Sequence, residues 1–325
     1  MTAVEIPEGS TPYGDAGLAE RARRLALDLG GRIPLPASGA TRERLDAMVD
    51  VGREDLQLAR LVEPHLDAVA ILAEAGRPTP PDSWYGVWAS APRPSLERDG
   101  ERLLLVGRQG FCSGATDCDA ALVAADLDGR VQLVDVDLRV GRRDGTVVAD
   151  TGGWSTAAFA DTGTATVEYR AHPVPSGSLV GGAGFYLERP GFWHGAVGPA
   201  AVWAGGAVGL VDMALRRGAR TDPERVLVGE MRSSVWALRA ELAHAAERTD
   251  ADPDDGARAR RDALIVRNLV ERHVTRLLDL FGQLCGPRAL ALDAQAVART
   301  QELQLYVRQV DRLGDLHELG LDGTT

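Results

Sequence analysis

The sequence predicts an α+β protein built in three parts: a helical start, a middle antiparallel β domain and a C-terminal four-helix bundle. Apolar residues recur at helical spacing between Arg53 and Ala75. Short β-prone runs then alternate with Asp-Gly pairs, which favour hairpin turns because glycine accepts a positive φ. From Gly195 onward the chain consists of long helix-favouring stretches with few breaks, which is typical of a helical bundle.

The first domain is predicted to cover residues 1–82. An amphipathic helix fits Ala16–Leu29, and Thr41 is placed to cap a second helix. The third helix, Arg53–Ala75, has apolar residues on more than one side, and Gly76 is expected to end it.

The middle domain is predicted to cover residues 83–190 as a barrel-like antiparallel sheet. The strand candidates are Leu103–Val106, Ala120–Ala124, Val131–Val136, Thr146–Val148 and Ala165–Tyr169. The hairpin turns are expected at Asp99–Gly100, Asp128–Gly129 and Asp144–Gly145.

The bundle is predicted to cover residues 191–325. Its helices are expected at Gly195–Arg217, Arg225–Arg248, Ala257–Leu284 and about 293–319, with a break at Cys285–Pro287. The run 196–215 is apolar but rich in glycine and alanine, which suits a tightly packed core helix better than a membrane span.

Composition excludes several classes of chemistry. All 36 basic residues are arginine, so no lysine is present for a Schiff base, for pyridoxal phosphate or for a P-loop. The net charge of −11 disfavours nucleic acid and anionic membranes as partners. Three cysteines without a CxxC pair predict neither a disulfide framework nor a metal site. Met1–Ser10 has no signal-peptide pattern, so a cytoplasmic protein is expected.

Four local motifs occur in an order that is informative about the fold. They are Gly107-Arg-Gln-Gly-Phe-Cys-Ser-Gly-Ala115, Thr162-Gly-Thr-Ala-Thr-Val-Glu-Tyr169 followed by Pro173-Val-Pro175, Ala204-Gly-Gly-Ala-Val-Gly-Leu210, and Gln283 with Gly286. Together with the helix–β–helix order, they resemble the acyl-CoA dehydrogenase superfamily, and the match runs from about Arg53 to the C-terminus. The chain looks like a divergent bacterial member of that superfamily.

The resemblance implies a flavin cofactor, with FAD expected. In relatives, the aromatic and hydroxyl residues at the strand end lie by the flavin ring, and these match Phe111 and Ser113. The stretch with Thr162 and Thr164 and the flavin loop near Trp88 are expected to contribute. Gln283 and Gly286 match a motif that contacts the cofactor of a neighbouring subunit, so a homodimer or tetramer is expected.

The departures from the family concern its catalytic carboxylate and its adenine-binding motif. The two family positions for the carboxylate fall in residues 303–312 and at Pro199, and neither offers the expected glutamate. The arginine-phenylalanine-glycine motif is not recognisable between Arg220 and Gly229, and the N-terminal domain is about 40 residues shorter than in relatives.

Several residues are candidates to replace the missing base. His194 is the first, because histidine is the natural base near neutral pH. Asp311 and Glu302 lie in the last predicted helices, where relatives carry catalytic groups. His65 is predicted to be a packed helix residue, and Trp193 either packs an interface or stacks on a ligand.

Four functions remain open at this point. The first is a flavin-dependent α,β-dehydrogenase of an acyl thioester or related small molecule. The second is a flavin monooxygenase of the same fold, which the Phe-Cys-Ser-Gly motif resembles slightly more. The third is a degenerate, non-catalytic subunit of a heteromer, and the fourth is a binding protein without flavin.

Overall fold

The structure is a computed structural model that describes residues 17–321. The predictions about Met1–Ser10, Ala16 and the terminal Gly323-Thr324 therefore lie outside the described residues. The described chain divides into a helical unit, residues 34–59 and 193–321, and a β unit, residues 17–33 and 60–192. The three domain ranges predicted from sequence stay predictions.

The N-terminal helices are α1 (Leu18–Gly30), α2 (Thr41–Glu54) and α3 (Leu56–Glu74). The predicted capping role of Thr41 is wrong, because Thr41 is the first helical residue and Ala40 is the N-cap. The Thr41 hydroxyl instead donates to the carboxylate of Asp250 at 2.6 Å, within the helical unit. A longer-range partner has therefore replaced the local cap.

The helix predicted from Arg53 is interrupted at Asp55, which is extended with φ −151° and ψ 116°. The Asp55 carboxylate accepts hydrogen bonds from the backbone N–H groups of Gln57 at 2.9 Å and Leu58 at 3.1 Å. Asp55 thus ends α2 and caps α3.

Eight strands form one sheet. They are β1 (Tyr85–Trp88), β2 (Ser95–Asp99), β3 (Arg102–Cys112), β4 (Ala120–Leu127), β5 (Arg130–Asp137), β6 (Val147–Asp150), β7 (Ala165–Val174) and β8 (Leu179–Val180), with short helices α4 (Leu138–Arg143) and α5 (Phe185–Glu188). The order is β6-β7-β3-β2-β4-β5-β8, and β1 pairs with β4. All five predicted strands are present. The sheet is mixed rather than purely antiparallel, because β4 pairs in parallel with both β1 and β2.

Two of the three Asp-Gly pairs close hairpins as predicted. Gly100 joins β2 to β3 with φ 61°, and Gly129 joins β4 to β5 with φ 79°. The hairpin predicted at Asp144–Gly145 is wrong. This pair ends α4, and Gly145 at φ 70° supplies the left-handed residue that commonly follows a helix.

The core of the β unit lies between α3 and the sheet. Ala68, Ile71 and Leu72 share one face of α3, and all three are buried against strand residues that include Leu122 and Leu133. This packing explains the helical spacing of apolar residues in that part of the sequence.

The C-terminal helices are α6 (Pro190–Arg217), α7 (Asp222–Ala251), α8 (Gly256–Leu292), α9 (Ala294–Tyr306) and α10 (Arg312–Leu321). The predicted stop at Cys285–Pro287 is a kink inside α8, where Gly286 has φ 67°. The predicted fourth helix is divided in two, because the chain leaves the helical conformation before α10. Three long helices, followed by the shorter α9 and α10 in place of the fourth, agree with the predicted bundle.

Helix α6 packs against α2 at very short range in the helical unit. A Cβ atom on Gly205 would lie 2.2 Å from the carbonyl oxygen of Val49, and one on Gly52 would lie 2.5 Å from that of Val202. Among the described residues, α6 alone is long and apolar enough to cross a membrane, yet 78% of its apolar window is buried in the molecule. Such burial is typical of a core helix.

Candidate functional site

The end of β3 turns one aromatic side chain outward. Gln109 pairs with Val167 and Cys112 with Ala165, so β3 carries one extra residue there, a β-bulge. Phe111 lies in this bulge with φ 56°, a left-handed conformation that non-glycine residues rarely adopt. Its ring is 64% exposed although Cys112 beside it is buried. Such local strain at an exposed aromatic residue is typical of a ligand site.

Three hydroxyl groups lie at the end of β3, where Ser113 follows the strand and Thr164 precedes β7. Thr162 and Thr164 are buried, and their Oγ1 atoms are 2.7 Å apart. Thr162 donates its one proton to Phe159 O at 2.7 Å, so Thr164 is the donor to Thr162. Thr164 Oγ1 also lies 3.3 Å from Ser113 Oγ. Among the described residues Ser113 Oγ donates no hydrogen bond, so its proton is free to be donated to a ligand.

Backbone hydrogen bonds hold this arrangement together. Gly114 N–H donates to Thr162 O at 2.9 Å, and Ala115 N–H donates to Gly163 O at 3.1 Å. Trp88, which is buried, donates its indole N–H to Ser113 O at 3.1 Å. Trp88 thus holds the backbone of Ser113 in place.

Trp154 is a residue of this site that the sequence analysis missed. It lies in the segment between β6 and β7, and its ring meets Phe111 edge-on at 6.2 Å and 83°. Its indole N–H donates to Ala158 O at 2.9 Å, which fixes the ring. A tryptophan after Gly152-Gly153, in a polar stretch with no apolar pattern to explain it, was the available signal. We name Phe111, Ser113, Trp154, Thr162 and Thr164 the hydroxyl–aromatic site.

The other predicted site residues belong to the helical unit. His194 is buried in α6, and Glu302 is buried in α9. Trp193 lies under the guanidinium of Arg260 at 5.1 Å. Asp311 is exposed, and its carboxylate accepts the Gly314 N–H at 3.2 Å in the first turn of α10. This carboxylate is therefore in water, where proton abstraction from a carbon acid is disfavoured.

Gln283 and Gly286 both lie on α8. The Gln283 side-chain amide donates to Asp279 one turn earlier at 3.0 Å. Gly286 forms the kink of the helix. The roles predicted for them at a neighbouring subunit's cofactor stay predictions.

The two family positions for the catalytic carboxylate lack the family's glutamate. Pro199 lies inside α6. Near the other position, Glu302 of α9 and Glu271 of α8 are both buried, and Glu271 pairs with Arg308 at 2.9 Å and accepts from Thr275 at 3.0 Å.

The stretch where the family's adenine motif would fall is occupied by a helix cap. Thr221 and Glu224 form a capping box at the start of α7. Glu224 accepts from the Arg220 N–H at 2.6 Å and from the Arg217 guanidinium at 2.9 Å. These hydrogen bonds, the Arg220 N–H first, lower the pKa of Glu224 to about 2. The polar groups of this stretch are thus engaged in capping.

His65 is a packed residue, as the sequence suggested. It is 2% exposed in the β unit, and its Nδ1 accepts the Tyr85 N–H at 3.2 Å. Burial lowers the pKa of His65 from 6.5 to about 4. The side chain is therefore neutral at physiological pH and serves the fold.

Low pH should consequently lower the free energy of unfolding through the protonation of His65. In the unfolded chain His65 takes up a proton below about pH 6.5, whereas in the folded chain it does so only near pH 4. The contribution of neutral His65 to the free energy of unfolding is therefore full above pH 6.5 and is lost as the pH falls from 6.5 to 4. The contribution is about 3 kcal/mol. Urea unfolding at pH 7.5 and 4.5 should show a smaller pH effect for His65→Gln than for the wild type, and the exposed His244→Gln should keep the full effect. Equal pH effects in all three proteins would contradict this role.

Comparison with known proteins identifies the fold. No protein-family model matches the chain, and no curated protein matches it. Among solved structures, the dibenzothiophene monooxygenase TdsC from Paenibacillus sp. A11-2 is 17% identical with a TM-score of 0.78, covering 93% of this chain and 88% of that one. The chain has the acyl-CoA dehydrogenase-like fold.

Two further structures of this fold are similar. KijD3, in complex with FMN and a dTDP-linked amino-keto sugar, is 19% identical with a TM-score of 0.76 over 95% of this chain and 88% of that one. A nitrososynthase from Micromonospora carbonacea var. africana is 20% identical with a TM-score of 0.69 over 94% of both chains. At these identities the likeness shows the fold alone.

The hydroxyl–aromatic site fits a flavin ring by its chemistry. A flavin ring offers a planar aromatic body with hydrogen-bonding atoms along one edge. Phe111 and Trp154 supply aromatic surface, and Ser113 supplies a hydroxyl donor. These three residues, with the threonines behind Ser113, are the ones that would hold the ring.

Proposed function

We propose that the protein is a flavin-dependent monooxygenase that acts on a small aromatic or amine-bearing substrate. The observation that carries this is the contrast between two sites. The residues of the hydroxyl–aromatic site are brought together, whereas Pro199 stands at one family position and the carboxylate within the other, that of Asp311, is exposed to water. Dehydrogenation of a thioester needs that base, but oxygenation by a reduced flavin does not. The similarity to TdsC, a monooxygenase, supports the proposal.

We further propose that the flavin is FMN, in place of the FAD expected from the resemblance. TdsC and KijD3 have structures with FMN. The capping box at Thr221 and Glu224 stands where an adenine-binding motif would be needed for FAD. Competition between FMN and FAD for the protein, followed by fluorescence, distinguishes the two.

The residues of this chain have separable tasks in the proposed reaction. Ser113 donates a hydrogen bond to the bound ring, and Thr164, whose Oγ1 lies 3.3 Å from Ser113 Oγ, keeps that side chain in position. Trp88 holds the Ser113 backbone in place. The reduced flavin, when bound, supplies the electrons and the site of oxygen activation.

Oxygen consumption tests the proposal directly. Purified protein with reduced FMN should consume oxygen faster in the presence of a phenol or indole, with an oxygenated product detected by mass spectrometry. An acyl thioester with an artificial electron acceptor should give no turnover. Thioester oxidation without oxygen use would establish the dehydrogenase instead. Flavin binding with neither activity would point to a subunit that needs a partner.

We also propose self-association through the exposed face of α7. Val226 is 70% exposed and Trp236 is 75% exposed, which is unusual for apolar side chains of their size. Gly229, Ser233 and Ala240 lie on the same face, which would let a second helix approach closely. The proposed occupant is a second copy of the chain, as expected from the bundle helices of relatives.

Replacing Trp236 should abolish this self-association. Trp236→Glu places a charge in the middle of the proposed contact, and we expect a monomer in light scattering after size exclusion. Leu313→Glu is the matched control, because Leu313 is 81% exposed on α10. Wild-type protein that is already monomeric at micromolar concentration would refute the proposed contact.

Removing Trp154 should weaken flavin binding. An edge-on aromatic contact contributes about 1 kcal/mol, which corresponds to roughly a fivefold rise in Kd. We therefore expect Trp154→Ala to raise the Kd for FMN about fivefold in a fluorescence titration, and Trp154→Phe to restore most of the affinity. An unchanged Kd in Trp154→Ala would show that the ring of Trp154 does not contribute to the site.

A further inference from the structure

The β unit contains a cavity that shares no residue with the hydroxyl–aromatic site. It has a volume of about 390 Å³ and lies beside the ends of β5 and β7. Strand β8 pairs only with Leu133 and Val134, and β6 pairs only as far as Tyr169. The stretches 135–137 and 172–174 therefore each lack a neighbouring strand on one side. The cavity lies at this seam of the sheet, and we name it the seam cavity.

Apolar side chains make most of the walls of the seam cavity. They come from the strands and from the prolines around them: Pro80, Ala120, Val134, Val136, Val140, Pro173, Val174 and Pro175. A few polar groups converge among these walls, which is the usual composition of a small-molecule site.

The first polar group is a chain of three side chains, of which Tyr85 is buried and Arg77 and Asp135 are half-buried. Asp135 accepts from the guanidinium of Arg77 at 2.9 Å and from the hydroxyl of Tyr85. Burial raises the pKa of Asp135 and of Tyr85, with the Asp135 charge adding to the effect on Tyr85. Tyr85 and Arg77 therefore act as donors, and Asp135 is left with acceptor positions toward the cavity.

The second polar group is His172, which is 8% exposed and lines the cavity. Its Nδ1 lies 2.8 Å from the hydroxyl of Thr146, and that hydroxyl donates to Gly141 O at 3.4 Å. In the tautomer in which Thr146 gives its one proton to Gly141 O, Nδ1 carries the hydrogen and Nε2 keeps its lone pair. No described residue donates to Nε2. Burial lowers the pKa of His172, so the ring is neutral at pH 7.

Asp135 and, in that tautomer, His172 Nε2 are thus acceptors toward the cavity. The donors in the lining are the hydroxyls of Ser83, Tyr85 and Ser178 and the guanidinium of Arg139, whose Nε stands at the exposed rim 3.6 Å from Asp137. A ligand that satisfies both acceptors must bring its own N–H groups. An apolar body would fill the space between the valines and prolines.

We propose that the seam cavity binds a small organic amine, whose N–H groups donate to His172 Nε2 and Asp135 while its apolar part contacts the valine and proline walls. A primary ammonium suits both acceptors, because it has three donors and its charge is attracted by the carboxylate. This site is independent of the flavin chemistry proposed above.

Benzylamine is a suitable probe, because it joins one ammonium to one small apolar ring. With ¹⁵N-labelled histidine at pH 7.5, the Nε2 signal of His172 should shift saturably during a benzylamine titration. Benzyl alcohol, which lacks the charge and two of the donors, should bind more weakly. Calorimetry should show a loss of about tenfold or more in affinity for His172→Phe and none for the exposed His244→Phe.

The result that overturns the proposal is a His172 signal that does not move at millimolar benzylamine, or equal affinity in the wild type and His172→Phe. The wild-type titration decides even if the variant folds poorly. FMN titration of His172→Phe should match the wild type, which separates this site from the proposed flavin site.

Discussion

Replacing Gly205 with leucine should cost the helical unit about 3 kcal/mol or more, the largest effect on stability that we expect from one side chain. A Cβ atom there would lie 2.2 Å from Val49 O and 2.9 Å from Arg53 N, which are backbone atoms of α2. Backbone atoms cannot rotate away as a side chain does, so the two helices would have to separate. The contacts that would be lost include those of Gly52 with Val202, at the same crossing.

Gly229 provides the matched control for this experiment. It also lies inside a long helix, α7, but nothing lies within 4 Å of a Cβ atom built on it. In the Trp236→Glu background, where the proposed association through the α7 face is removed, Gly229→Ala should therefore stabilise the protein by about 1 kcal/mol through helix propensity alone, whereas Gly205→Ala should destabilise it. Thermal unfolding of the two alanine variants and of Gly205→Leu measures this. Changes of the same sign at both glycines would mean that the α2–α6 crossing is not close-packed.

The parts of the fold that sequence predicted are those with local signals. The strands were visible because β-prone runs end in Asp-Gly pairs, and Gly100 and Gly129 do make the turns. The bundle helices were visible because few breakers interrupt them. A local pattern suffices wherever the chain's own neighbours determine its conformation.

The helix breaks were missed for a physical reason. Asp55 fits a polar position of a helix in the sequence, and only the structure shows its carboxylate accepting from the N–H groups of the next turn. The Asp144–Gly145 pair was misassigned because the same dipeptide suits a hairpin turn and a helix end. Flanking structure decides between these outcomes, and it is not encoded in the dipeptide.

The candidate site was predictable only where a motif marked it. The resemblance pointed to Phe111 and Ser113, and the structure brings these together with Thr162 and Thr164. Trp154 was missed because it lies 43 positions from Phe111 and reaches it only through the pairing of β3 with β7. Glu271 was missed because a buried carboxylate looks like any other charged helix residue until its arginine partner is located.

Removing the Ser113 hydroxyl should lower turnover about 100-fold, if this group donates to the reacting ring as proposed. The loss of a single aligned donor in a water-poor site has effects on the order of 10²–10³. Ser113→Ala removes one oxygen atom at a half-buried position, so the fold should persist. Oxygen consumption with reduced FMN gives the turnover, and the absorbance maximum of bound flavin reports the lost hydrogen bond independently of activity.

Thr164 tests whether this side chain positions the Ser113 hydroxyl. Thr164→Val keeps the shape but removes the oxygen that lies 3.3 Å from Ser113 Oγ, so we expect about a tenfold loss of turnover in the wild-type background. In the Ser113→Ala background the same change should have little further effect, because the hydroxyl that Thr164 positions is already absent. Ser233→Ala, which removes a hydroxyl bonded only to Gly229 of its own helix at 3.1 Å, should leave turnover and the flavin spectrum unchanged. Additive losses in the double variant would show that Thr164 acts by a route other than Ser113.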